Sequence, residues 1–287
     1  MTDLSPPVAI RPTSWIISAS RRTDLPGYHA DACADRLLRL RRPVHSVFFW
    51  TRYPAALVRP GPLGEVVRAL ENPFVHLTLT GLGGSDLEPR VPPTAAVLRW
   101  LDPLIDALRG QPERILWRFD PVLHGWMSLE GFAELAATLG GRGIRTCIFS
   151  FPSALSLKGA LDPQYQRFGL RRWSRAEKRE MALRLAEVAQ KHGIELEACN
   201  QPQVVLDSGG AVRAAACISA DRAQRLHPTG RTLELPKDPG QRRHCNCSLS
   251  HDIGRYQDRC RSGCAYCYSS AGGPDNEPPL ATAPGQR

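Results

Sequence analysis

Short apolar runs alternate with amphipathic stretches over the first 200 residues of the chain. Residues 14–19 (SWIISA), 44–50 (VHSVFFW), 74–80 (FVHLTLT), 114–119 (RILWRF), 144–149 (IRTCIF) and 194–198 (IELEA) are rich in β-branched and aromatic side chains. Their length and composition predict six strands. Between them apolar residues recur at three- and four-residue intervals, which predicts helices over 28–40, 54–70, 94–108 and 128–139. Pro60-Gly61-Pro62 interrupts the second, and Pro103 predicts a kink in the third, whose face carries Val97, Leu101, Leu104 and Leu108. Ser174 and Glu177 make a capping box for a last helix that ends before Gly193, with Met181, Leu185 and Val188 as its apolar stripe.

Strands that alternate with helices pair in parallel through right-handed crossovers. The expected fold is α/β, a full or partial (β/α) barrel of about six parallel strands with a C-terminal cysteine-rich extension; an open doubly wound sheet fits the same pattern. Residues 1–200 form the barrel-like domain, 201–273 a cysteine-rich metal-cluster segment packed on it, and 274–287 a disordered tail. The connection over 151–173 is long, rich in Tyr, Phe and Arg, and is a candidate lid.

Parallel α/β folds keep their sites at the carboxyl ends of the strands. Polar residues gather there: Ser20-Arg21-Arg22-Thr23-Asp24 after the first strand, Thr51-Arg52 after the second, Thr80 in the third, Arg118-Phe119-Asp120 in the fourth, and Glu197, Cys199 and Asn200 at the sixth. Arg21, Arg22 and Asp24 can hold a carboxylate, phosphate or ribose; an Arg–Asp pair capping the first helix is the structural alternative. Arg118 and Asp120 fall on one side of their strand, where one can reach a ligand while the other orients it. These five are the candidate catalytic residues. His76 reads as a satisfied core histidine.

Nine cysteines divide unevenly. Cys33 and Cys147 sit in core positions, and Cys199 and Cys217 are scattered. Cys245, Cys247, Cys260, Cys264 and Cys267 crowd one stretch and are the candidate metal ligands. Cys260-x3-Cys264-x2-Cys267 can ligate three irons of a 4Fe–4S cluster and leave the fourth open. With Cys245 or Cys247 it can instead hold zinc through four thiolates. Cys245-x-Cys247 can also close the cluster, join Cys199, Cys217, His244 or His251 at a second metal, or act as a redox pair.

The chain resembles a bacterial family known as domain of unknown function number 1848. The likeness rests on Ser18-Ala19-Ser20-Arg21-Arg22-Thr23-Asp24-Leu25-Pro26, Phe49-Trp50-Thr51, Thr78-Leu79-Thr80-Gly81 with Glu88-Pro89, and Trp117-Arg118-Phe119-Asp120-Pro121. Ala216-Cys217-Ile218, Cys245-Asn246-Cys247 and Asp252-Ile253-Gly254-Arg255-Tyr256 extend it to the terminal cysteines. The resemblance implies a terminal cluster like the N-terminal one of radical S-adenosylmethionine proteins, with S-adenosylmethionine as cofactor, an electron donor, and a small-molecule or nucleotide substrate. Tyr266 takes the aromatic place of that motif; Thr51 and Thr80, at strand ends, are the other cofactor-binding candidates. The cysteines follow all six strands rather than the first, so the C-terminal segment has to fold back over the carboxyl edge. The C-x3-C-x-Tyr-Cys-Tyr form also looks like spore photoproduct lyase, which keeps DNA or nucleotide repair in view. The competing classes are a non-catalytic zinc or closed-cluster protein and a barrel hydrolase with a structural metal site.

The net charge of +9 comes from arginines spread along the chain, with four lysines, and gives nucleic acid a minor place among partners. No apolar run approaches the roughly 18 residues of a membrane span. Residues 1–11 lack a basic-then-apolar leader, so the expected location is cytoplasmic.

Overall fold

The computed structural model describes residues 14–152 and 166–267. The expected tail at 274–287 and most of the expected lid lie outside the described residues. Six strands form where the apolar runs predict them: β1 (Trp15–Ala19), β2 (Val44–Thr51), β3 (Pro73–Thr78), β4 (Ile115–Phe119), β5 (Thr146–Phe149) and β6 (Glu195–Ala198). Two further pairs of residues, β7 (Arg213–Ala214) and β8 (His251–Asp252), join the edges. All pairings are parallel, in the order β7-β6-β5-β4-β3-β2-β1-β8. That sequential order is the singly wound, barrel-like form of the α/β class, with the helices between successive strands on one face.

Side-chain alternation explains the two faces. Ile17, Phe49, Val75, Trp117, Cys147, Phe149 and Leu196 pack with the helices in the larger core. Ile16, Phe48, Phe74, Leu116 and Ile148 point the other way and pack on Ala215, Cys217, Ile218, Ala223, Leu233, Cys245 and Cys247. The C-terminal segment therefore covers the inner face of the sheet. Burial on both sides is why the strands read as continuous apolar runs.

The helices follow their signals with one difference. The stretch at 94–108 is not one helix kinked at Pro103 but two, Thr94–Leu98 and Leu101–Ala107. Pro103 falls in the first turn of the second helix, where its missing N–H would have no intrahelical partner, so the break moves upstream. The capping box of Ser174 and Glu177 is formed on the helix Arg175–Lys191. No helix among the described residues is long and apolar enough to cross a membrane.

Candidate functional site

The C-terminal segment returns to the carboxyl edge of the strands. β8 pairs with β1 (Ile17 with His251, Ser18 with Asp252), and Ser18 Oγ donates to Asp252 Oδ2 at 3.1 Å. The next turn is closed by the Gly254 N–H on Asp252 Oδ1 at 2.7 Å. A Cβ on Gly254 would stand 2.3 Å from Ser20 Oγ, so only glycine permits this approach. Arg36, on the helix Ala30–Leu38, then clamps Asp258 with two hydrogen bonds, 2.5 and 2.8 Å, and donates to the Ile253 carbonyl at 3.1 Å. The Ala265 N–H donates to the Leu87 carbonyl at 2.9 Å. The terminal cysteine loop is thereby laid against the segments that follow β1, β2 and β3.

Beneath that loop lies a buried polar network. Glu88 is 0% exposed. It accepts from Arg52 Nη1 at 2.9 Å, from Thr80 Oγ1 at 2.8 Å, and from the Tyr266 hydroxyl. Arg52 Nη2 donates to the same Tyr266 oxygen at 2.8 Å. A buried carboxylate is tolerable here because its lone pairs are occupied by a charge and two hydroxyls. Asp24 joins from β1: it accepts the Arg52 N–H at 2.6 Å and the Gly27 N–H at 2.9 Å, capping the helix Leu25–Tyr28. Thr51 also hydrogen-bonds Asp24, yet burial pushes its carboxyl up to about 6.

Cys264 packs with Leu87, Val91, Leu123, Ala265 and Tyr266. Burial pushes its thiol up to about 12, with the charged Arg52 and Glu88 and the sulfurs of Cys267 and Cys260 as neighbours. Cys260 is raised too, again by burial, and donates to Ser262 Oγ at 3.4 Å. Cys264 thus has a guanidinium beside it and the other two thiols of the triad within electrostatic reach, a donor set suited to a thiophilic metal. In the arrangement observed, no three His, Cys, Asp or Glu side chains among the described residues converge on a common metal position.

Cys245 and Cys247 are elsewhere. They pack with Cys217 on the inner face, in a different apolar cluster from the triad. Here, at the mouth of the barrel, Cys217 Sγ stands 3.7 Å from Cys199 Sγ and accepts from Arg118 Nη1 at 3.3 Å. Arg118 also pairs with Asp120, which accepts from the Ser150 hydroxyl. Hydrogen bonding with the Cys199 and Cys247 thiols holds Cys217 well below the ordinary thiol range, and the Cys247 contact brings Cys245 down to about 6. His76 is 0% exposed, stacks on Trp50 at 4.5 Å and bonds the Cys217 carbonyl through Nε2 at 2.8 Å. Its Nδ1 has no hydrogen-bond partner among the described residues. Burial pushes the imidazole down to about 3, so it is neutral, and the carbonyl contact puts its proton on Nε2. Glu197, raised by burial, accepts from Arg222 at 2.6 Å beside it.

The structure brings together Asp24, Thr51, Thr80, Tyr266 and the terminal triad, and separately Arg118 with Asp120. It does not assemble Arg21, Arg22 and Asp24 into one constellation. Arg21 turns into the mouth, to Asp238 at 3.4 Å and Ser250 at 3.0 Å. Arg22 donates to the Gly254 carbonyl at 3.3 Å and lies over the Tyr256 ring. Three positions within four residues after a strand point in different directions, and Asp24 is committed to backbone N–H groups. Two functional groupings escaped the sequence reading. Arg52, at a strand end, and Glu88, beside Pro89, are each visible in the sequence, but 36 residues separate them and no local pattern pairs them. The Cys199–Cys217 contact joins the end of the sixth strand to a segment with no periodic signal. A cavity of about 340 Å³ lies apart from the mouth, between the outer helices, lined by Pro54, Leu63, Pro92 and Trp100 among others.

Fold and site together define a singly wound parallel α/β protein whose carboxyl edge is closed by its own cysteine-rich C-terminus. The chain belongs to the family described as domain of unknown function (DUF1848), whose model matches residues 34–269. No curated protein matches it. Among solved structures it is similar to the carboxyl transferase domain of Rhizobium etli pyruvate carboxylase with pyruvate, at 13% identity, TM-score 0.28, over 71% of this chain and 39% of that one. The same domain with 3-hydroxypyruvate gives 11% identity, TM-score 0.29, over 70% of this chain and 39% of that one. This chain thus spans about two-fifths of their length, and the likeness is too slight to bear on function.

Proposed function

We propose that this protein is a radical S-adenosylmethionine-like iron–sulfur enzyme whose cluster is carried by Cys260, Cys264 and Cys267. The observation that carries the reading is the return of the terminal loop to the carboxyl edge, against Asp24, Arg52 and Glu88. There it takes the place that a cysteine loop after the first strand would hold. A 4Fe–4S cluster with one open iron would supply reductive cleavage of bound S-adenosylmethionine, and so a carbon radical for hydrogen abstraction.

The chain's own residues have definable work. Cys260 and Cys264, raised by burial, must each release a proton to bind metal, and Arg52 offsets the charge that remains. Thr80, Glu88 and Tyr266 lock the Arg52 side chain beneath the loop. Arg118, oriented by Asp120, and Arg21 offer guanidinium groups to an anionic substrate at the mouth. Trp50 and His76 form an apolar, uncharged floor. The separate packing of Cys245 and Cys247 favours an open iron over a four-thiolate zinc site built on the triad.

The test is anaerobic purification with iron, sulfide and zinc analysis, then EPR of the dithionite-reduced protein with and without S-adenosylmethionine. About four irons per chain and a spectrum changed by S-adenosylmethionine are expected. Zinc alone, or a cluster indifferent to S-adenosylmethionine, would refute the reading.

A further inference from the structure

The thiols at the barrel mouth have no part in the proposed cluster. Cys199 follows β6 and Cys217 follows β7, and the parallel β6–β7 pairing sets them side by side. Their sulfurs, 3.7 Å apart, are in van der Waals contact. Closing to a disulfide of about 2.05 Å takes less than about 2 Å of sulfur movement, within reach of side-chain rotation. Cys217 also faces a fixed positive group. Arg118 Nη1 donates to its sulfur at 3.3 Å, while Nη2 is held by Asp120. Such a microenvironment favours the thiolate. Among the described residues no set of three donors converges on a metal position here. Cys199 is half-buried and Cys217 is 6% exposed, which leaves the pair open to a small oxidant and, through Cys199, to a small dithiol.

We propose that Cys199 and Cys217 form a redox-active dithiol at the barrel mouth, oxidised by hydroperoxides and independent of the terminal cysteine loop. The Cys217 sulfur attacks the terminal oxygen of the hydroperoxide. The O–O bond breaks, the second oxygen leaves as an alcohol or water with the thiol proton, and Cys217 becomes a sulfenic acid. The Cys199 sulfur then displaces that hydroxyl. The S–S bond forms, and water leaves with the Cys199 proton. Two thiols lose two electrons and the hydroperoxide gains them; an external dithiol reverses the oxidation by exchange.

Peptide mapping tests this directly. The full-length protein is reduced, freed of reductant anaerobically, treated with one equivalent of hydrogen peroxide, alkylated and digested with trypsin. Cys199 lies in the peptide 192–213, Cys217 in 214–222, and Cys245 and Cys247 together in 244–255. Peroxide is expected to link 192–213 to 214–222. In Cys199→Ser the link is absent and Cys217 is captured by dimedone as the sulfenic acid. Arg118→Gln slows the reaction by about tenfold. Cys264→Ser keeps the link, so the result is separable from the fate of the iron–sulfur reading. Full alkylation of Cys199 and Cys217 after peroxide would overturn the proposal. So would linkage of 214–222 to 244–255 instead, loss of the link in Cys264→Ser, or one tightly held zinc that protects these thiols in the reduced protein.

Discussion

Tyr266 donates its hydroxyl to Glu88, a residue 178 positions earlier in the chain. This bond, with Arg52 on both partners, joins the terminal cysteine loop to the segment after β3. Removing Glu88 leaves Arg52 buried with its charge uncompensated, so Glu88→Ala should cost about 3–5 kcal/mol. Tyr266→Phe removes one hydroxyl and should cost about 1–3 kcal/mol. Denaturant midpoints measure both. Faster alkylation of Cys264 in Tyr266→Phe would show that the loop itself has loosened.

The two cysteine groups predict opposite metal phenotypes. If the triad carries the proposed cluster, Cys260→Ser, Cys264→Ser and Cys267→Ser should each fail to take up iron on anaerobic reconstitution. Cys245→Ser and Cys247→Ser should retain about four irons and an EPR spectrum changed by S-adenosylmethionine. Iron loss in either of the latter would place a fourth thiolate on the cluster and close it.

His76 gives the fold a defined pH dependence. Burial holds it down to about 3 from an ordinary 6.5. The unfolded chain binds a proton below about pH 6.5 that the folded chain refuses, so stability falls as pH drops from about 6.5 towards 3. At pH 5 the loss from this group is about 2 kcal/mol. His76→Gln can still donate to the Cys217 carbonyl but does not titrate. Urea midpoints at pH 7 and pH 5 should differ less in the variant than in the wild type by that amount; equal differences would assign the slope to other groups.

Gly254 tests the return of the C-terminus to β1. A methyl group there meets both Ser20 Oγ and Ser20 Cβ, at 2.3 and 2.4 Å. Gly254→Ala should therefore destabilise the protein by about 1–3 kcal/mol. If the strain is relieved locally, residues after 254 should become more sensitive to limited proteolysis while β1 to β6 stay protected in hydrogen exchange.

Sequence alone determined the six long strands, because each is buried on both faces and so needs an unbroken apolar run. It also determined the capping box at Ser174, whose partners lie three residues apart, and the side shared by Arg118 and Asp120, which follows from strand alternation. It marked Cys260, Cys264 and Cys267 as a group, since ligand spacing on one short loop is a local property. Tertiary structure decided the rest. β7 and β8 are two residues each, too short to carry a period, and only pairing with β6 and β1 makes them strands. Asp24 left Arg21 and Arg22 because backbone N–H groups of Gly27 and Arg52 compete for its oxygens. The division of the cysteines was likewise beyond the chain order. Cys247 precedes Cys260 by thirteen residues yet packs with Cys199 and Cys217, because the intervening segment crosses from the inner face of the sheet to the edge of β1.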